Sequence, residues 1–229
     1  MRDNLEEYIK SSHTRMTDAQ SEHIIFSDVQ VYINDDLPAN IDIVYILRKI
    51  EAVIPEHLSY GVNTIEIGHN DEFEKRNINA LYDNGTIHVT NSQDNNDDLI
   101  DDIVHEVAHS AEEIYYKNIY GDGSVKNEFL GKRRRLYSLL KQEGYKINKE
   151  HYENVEYSKG FDEFLYKRVG YKLLINITNG LFATPYSVTS LREYFANGID
   201  EFYLKDANSL KKTSPVLYNK IVSLHSIQD

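Results

Sequence analysis

His105 and His109 stand four residues apart, with Glu106 directly after the first. On an α-helix that spacing puts both imidazoles on one face, one turn apart, within reach of a single metal ion. Glu106 is rotated about 100° from His105. It can stand beside such a metal without ligating it and take a proton from a water held there. Zinc lowers the pKa of a bound water towards ~7, which makes hydroxide available at neutral pH. The pattern is that of a hydrolytic zinc site with Glu106 as general base. The chain has no cysteine, so disulfides and thiolate ligands are excluded and any metal rests on histidine and carboxylate. A third ligand must come from elsewhere, leaving a fourth position for water. Glu193 is the best candidate, because Leu191, Phe195, Ile199 and Phe202 mark the buried side of its helix. A carboxylate near that side is costly unless paired or bound to metal. His88, His151 and His225 are rival ligands.

The elements that must position these groups follow from periodicity. A helix from about Asp97 to Tyr116 carries both histidines, with Leu99, Ile100, Ile103, Val104, Val107, Ala111 and Ile114 as its apolar stripe. The Asn- and Asp-rich stretch before it supplies N-caps. Val29, Val31 and Ile33 alternate with polar residues as a strand does, and Thr64 to Ile67 reads as a second strand. Asn84-Gly85 between Ala80-Leu81-Tyr82 and Thr86 to Thr90 reads as a hairpin turn. Ile41 to Ile54 has helical spacing and ends at Pro55. Beyond Gly123 the strand signals fade. Residues 126–142, 148–157, 161–177, 191–204 and 215–225 all read as helices.

Bulk properties limit the partners. The 229 residues suit one domain, and the 41% apolar and 27% charged fractions are those of an ordinary globular protein. A net charge of -12 argues against a nucleic-acid backbone as the main partner. Arg133-Arg134-Arg135, the one basic run, reads as a solvated helix face. No run approaches the ~18 apolar residues of a membrane helix. Met1 to Gln20 is too polar for a secretory signal, so a cytoplasmic, virion-associated or independently exported protein is expected. Residues 1–24 read as a polar helix or arm and 25–229 as the main domain.

Taken in order, the motifs resemble the catalytic domain of anthrax lethal factor and the related clostridial Pro-Pro endopeptidases, which are gluzincin metallopeptidases. Besides the His105 to His109 motif, Leu139 to Gly144 looks like that family's helix end. Glu193-Tyr194-Phe195-Ala196 looks like its ligand segment, and Tyr186 stands seven residues before Glu193. Tyr203-Leu204 and Ser214 to Tyr218 resemble the family's C-terminus. The likeness covers roughly residues 25–229, with one interruption. It implies His105, His109 and Glu193 as zinc ligands, Glu106 as general base and Tyr186 as donor to the oxyanion. Two departures stand out. The family's second Glu, four residues after the ligand, is Asn197 here; its amide oxygen can accept from a ligand histidine, or Asp200, one turn further, can substitute. Residues 145–185 read as a mostly helical insertion beside the expected cleft, to serve as lid, exosite, docking surface or extra packing.

The expected fold is zincin-like α+β: a small mixed sheet with an active-site helix and an edge strand near residues 86–90, followed by a helical lobe. The expected function is zinc-dependent hydrolysis of a protein or peptide substrate. The alternative is a zincin scaffold kept as a structural component of a virion or toxin complex.

Overall fold

The computed structural model describes residues 21–70, 73, 75 and 78–227. Five short strands form one mixed sheet: β1 (Ser21–Ile25), β2 (Val29–Ile33), β3 (Thr64–Ile67), β4 (Ala80–Asp83) and β5 (Thr86–Val89). Their order is β1-β2-β3-β5-β4. The inner pairings are parallel and the outer two antiparallel. Period-2 alternation sets the register: Val31, Ile65 and Ile87 lie side by side, as do Ile33, Ile67 and Val89, and all six are buried. A one-residue slip would turn these apolar rows outward. Helix α1 (Ile43–Val53) makes the crossover between parallel β2 and β3. The Asp42 side chain caps it, and it buries Ile46, Leu47 and Ile50.

The expected arm at residues 1–24 lies mostly outside the described residues. Its last four residues belong to β1, paired antiparallel with β2. The hairpin at Asn84-Gly85 is present, with φ of 48° and 88°. The expected edge strand at residues 86–90 is corrected, because β5 runs between β3 and β4, and β4 is the edge. Burial gives the reason. Ile87 and Val89 complete the apolar rows, whereas Ala80, Leu81 and Tyr82 are only half-buried and suit the open side.

Helix α2 (Asn96–Ile114) lies against β4, β5 and α1. The Asn95 side chain accepts the Asp98 N–H at its start, and Asp97 and Asp98 complement the helix dipole there. Leu99, Ile100, Ile103, Val104 and Val107 enter the core, at about 1.5–3 kcal/mol for each fully buried side chain. Ile114, assigned to the same stripe from sequence, is instead exposed. Among the described residues no strand follows Val89. The chain continues as α3 (Tyr116–Tyr120), α4 (Ser124–Gln142), α5 (Glu150–Glu153), α6 (Lys159–Glu163), α7 (Tyr171–Thr178), α8 (Leu191–Tyr203), α9 (Ala207–Thr213) and α10 (Pro215–His225). The two helices expected at 148–157 and 161–177 are shorter than their periodicity suggests. The first shrinks to α5. The second is α6, a π-helical stretch at Phe164–Val169 and α7, separated by Gly170 at φ 84°.

Polar side chains on α4 lock the helical part together; Arg133, read from sequence as part of a solvated face, is instead 1% exposed, its guanidinium lying over the Phe129 and Phe161 rings. Glu128 accepts the N–H groups of Val216 and Leu217 at the start of α10 and the Tyr194 hydroxyl from α8. The Lys132 ammonium donates to the carbonyls of Leu181 and Thr213 and to Ser214 Oγ. Gly198 lets α8 approach α10, since a Cβ there would stand 2.5 Å from Leu217. No helix among the described residues is long and apolar enough to cross a membrane.

Candidate metal centre

Helices α2 and α8 pack on each other, and the groups that could do chemistry meet where they cross. His105 and His109 project from successive turns of α2, their rings 4.9 Å apart and edge to face. Glu193 comes from the first turn of α8. There the Ser190 side chain accepts the Glu193 N–H at 3.0 Å, and the helix dipole favours a carboxylate. Its oxygens stand 3.0 Å from His105 Nε2 and 3.5 Å from His109 Nε2. Ligand atoms of these three residues all lie within 4.8 Å of one another, so the group can hold a metal ion. Two neutral imidazoles and a carboxylate fit a borderline-soft divalent cation with an open coordination position.

The surrounding partners serve that donor set. His105 Nδ1 is 2.7 Å from Asp200 Oδ2. Asp200 is 3% exposed and its other oxygen has no partner. An imidazole that ligates through Nε2 carries its proton on Nδ1 and needs an acceptor there, and Asp200 provides it. Asn197 does something else. Its oxygen accepts from Thr184 Oγ1 at 2.6 Å and its amide donates to the Glu193 carbonyl at 2.8 Å. Thr184 Oγ1 in turn accepts the Ser187 N–H, so Asn197 ties the turn that carries Tyr186 to α8. Of the two candidates for partner of a ligand histidine, the structure brings Asp200 to the His105 ring and turns Asn197 away.

His109 Nδ1 has two competing neighbours. Arg192 Nε donates to it at 3.0 Å, and Glu112 Oε2 lies 3.9 Å away. A ring ligating through Nε2 offers a donor, not an acceptor, at Nδ1, so Glu112 is the partner its ligand form requires. Glu112 also accepts the Tyr120 hydroxyl and lies 3.5 Å from Arg192. Sequence reasoning passed over Glu112, although it stands three residues after His109 on the same face. Glu106 is 7% exposed, and its Oε2 accepts the Tyr82 N–H at 2.7 Å. No side-chain signal could have marked Tyr82, because the contact is made by its main chain.

Electrostatics follow from burial and these contacts. Burial lowers His105, but hydrogen bonds to Asp200 and then Glu193 raise it well above its usual value. Burial lowers His109 as well, and Glu112 and Glu193 raise it. Glu193 is raised by burial, yet the two imidazoles bring it down to about 2. Asp102, which lines the same cleft, is pushed up to about 6 by burial against the lowering contact from Gln93. The Tyr186 phenol is raised by desolvation and by Glu193, so it is a protonated donor at neutral pH.

A cleft of about 660 Å³ opens over the histidines, with β4 on one side and Tyr171 and Tyr186 on another. The rival ligands lie elsewhere. His88 pairs with Glu66 at 3.2 Å, His151 stacks on Phe161, and His225 contacts the Tyr203 hydroxyl. No family model matches the chain, and neither a curated protein nor a solved structure matches it.

Proposed function

We propose that this chain is a zinc-dependent endopeptidase with a zincin-like fold, of the kind its motifs resemble in the lethal factor catalytic domain and the Pro-Pro endopeptidases. One observation carries the reading. His105, His109 and Glu193 converge from two helices, while Glu106, which is not part of that donor set, is buried beside them in the same cleft. A site that only holds metal has no use for this second carboxylate.

Zinc held by His105, His109 and Glu193 would supply Lewis acidity to the scissile carbonyl and to the attacking water. Glu106 takes the proton of that water and passes it to the leaving amine. Tyr186 donates a hydrogen bond where negative charge develops on the carbonyl oxygen, a role worth about 2.7–4 kcal/mol for a well-aimed donor. Substrate main chain pairs with β4. Its two-residue turn makes Asp83 and Thr86 the closing pair, so the main-chain groups of Ala80 and Tyr82 face away from β5. The Tyr82 N–H to Glu106 contact accords with that orientation. An extended peptide added at this edge would lie beside Glu106, whose carboxylate would have to share or release the Tyr82 N–H.

The test compares wild type with Glu106→Gln on a diverse peptide library, with zinc content measured in both. Cleavage by wild type alone, with one zinc retained in each, is the expected result. Zinc in both and cleavage by neither would overturn the peptidase reading and favour a scaffold role.

A further inference from the structure

We propose that the inserted segment builds a subsite for one branched aliphatic side chain of the substrate, of leucine or isoleucine size, beside Tyr186. The proposal rests on the peptidase reading above. A second, smaller hollow adjoins the metal cleft, walled by Leu165, Tyr166, Leu174 and Pro185 together with Tyr171 and Tyr186. Those last two residues also wall the cleft over the histidines, so the hollow and the cleft share these two side chains. All its walls except Tyr186 and Thr189 come from the 145–185 segment, which the resemblance leaves without a counterpart.

The chemistry of the walls and the volume select the occupant. Tyr166 is 66% exposed and Tyr171 55% exposed. Exposed rings gathered at one cleft are apolar area that an incoming side chain can cover. The hollow measures about 60 Å³. One water-sized body needs about 10–15 Å³ on this kind of measure, so there is room for about four to six heavy atoms, fewer than the seven of a benzyl group. That is a leucine or isoleucine side chain. A phenylalanine ring is too large, and an alanine methyl leaves the hollow mostly empty. Asp162 also lines it, with one oxygen accepting the Tyr157 hydroxyl, and its charge disfavours aspartate and glutamate. The segment would then choose where the peptide is cut by seating one side chain next to the oxyanion donor.

The experiment sequences the products of a mixed peptide library cut by wild type and by a Tyr166→Ala/Tyr171→Ala double variant. Both substituted rings are exposed, and zinc content per chain reports that the fold is intact. In wild type, leucine and isoleucine should be enriched about tenfold over alanine and phenylalanine at one fixed position from the cut. In the double variant that enrichment should fall to about twofold or less. Binding of intact leucine- and alanine-containing peptides to zinc-loaded Glu106→Gln runs in parallel. Leucine-selective binding without any wild-type cleavage keeps the subsite and removes the peptidase reading. Cleavage without leucine selectivity, or with selectivity intact in the double variant, removes the subsite and keeps the peptidase reading. Neither cleavage nor binding removes both.

Discussion

Asp200→Asn isolates the contribution of one buried charge to metal binding. The Asp200 carboxylate lies 2.7 Å from His105 Nδ1. The asparagine keeps the volume and one accepting oxygen, so the ring is still oriented, but the charge on the acceptor is lost. Hydrogen bonds to charged groups contribute about 1.5–3 kcal/mol, against about 0.5–1.5 kcal/mol for neutral ones. The difference of about 1–1.5 kcal/mol corresponds to roughly tenfold in Kd for zinc, the lower end of the 10–100-fold range known for such supporting residues. Asp200→Ala removes the oxygen as well, and the loss should approach 100-fold. The assay is competition for zinc against a chelating dye at fixed pH. Asn197→Ala is the matched control. Its amide contacts Thr184 and the Glu193 carbonyl rather than a ring, so its zinc affinity should change less than about threefold. An Asp200→Asn protein that binds zinc within twofold of wild type, or an Asn197→Ala effect larger than that of Asp200→Asn, would refute the assignment of the His105 partner.

Glu193→Ala should lower zinc content and the Tm of the zinc-loaded protein together; an unchanged metal stoichiometry would sink its assignment as third ligand. In chelator-stripped protein, His105 and His109 are raised above 6.5 by Asp200, Glu112 and Glu193 against the lowering effect of burial. Their stabilising contribution is therefore fully present below about pH 6.5 and lost as pH rises through the raised values. The Tm of stripped protein should fall across that window while zinc affinity rises, because zinc must displace those protons; a stripped Tm that climbs instead would contradict the pairing. Lys132→Met leaves the Leu181 and Thr213 carbonyls without their buried donor, which should cost roughly 3 kcal/mol in urea unfolding and about 6–12 °C in Tm, and a loss under 1 °C would show that the clamp is replaceable.

What could be read from the chain followed from how local its causes are. Helix α2 was legible because its caps, acidic first turn and apolar stripe all lie within its own sequence, and its observed ends differ from the expected ones by one or two residues. The hairpin was legible for the same reason, through Asn84-Gly85. Which of its strands forms the edge was not, since both are four residues long and the choice depends on which one completes the rows begun by β2 and β3. Helix α9 escaped notice because Leu210 is its one buried residue, too little for a periodic signal. In the insertion, helical spacing ran through Gly170, whose positive φ divides it.

Glu193 shows where sequence and structure part at the site itself. Ser190 and Glu193 have the capping-box spacing, and the first half of that box forms, with Ser190 Oγ accepting the Glu193 N–H. In a complete box the Glu side chain returns to its own N-cap. Here the carboxylate is turned to His105 and His109 instead. Local sequence therefore specifies where α8 begins, and with it the height of Glu193 on the helix. The direction of the side chain is set by the packing of α8 on α2, which brings two imidazoles within 3.0 and 3.5 Å of the carboxylate. The same register carries Asp200 to the far side of the His105 ring. One helix thus supplies both the carboxylate facing Nε2 and the one facing Nδ1, and a shift of α8 by a single residue would remove both at once.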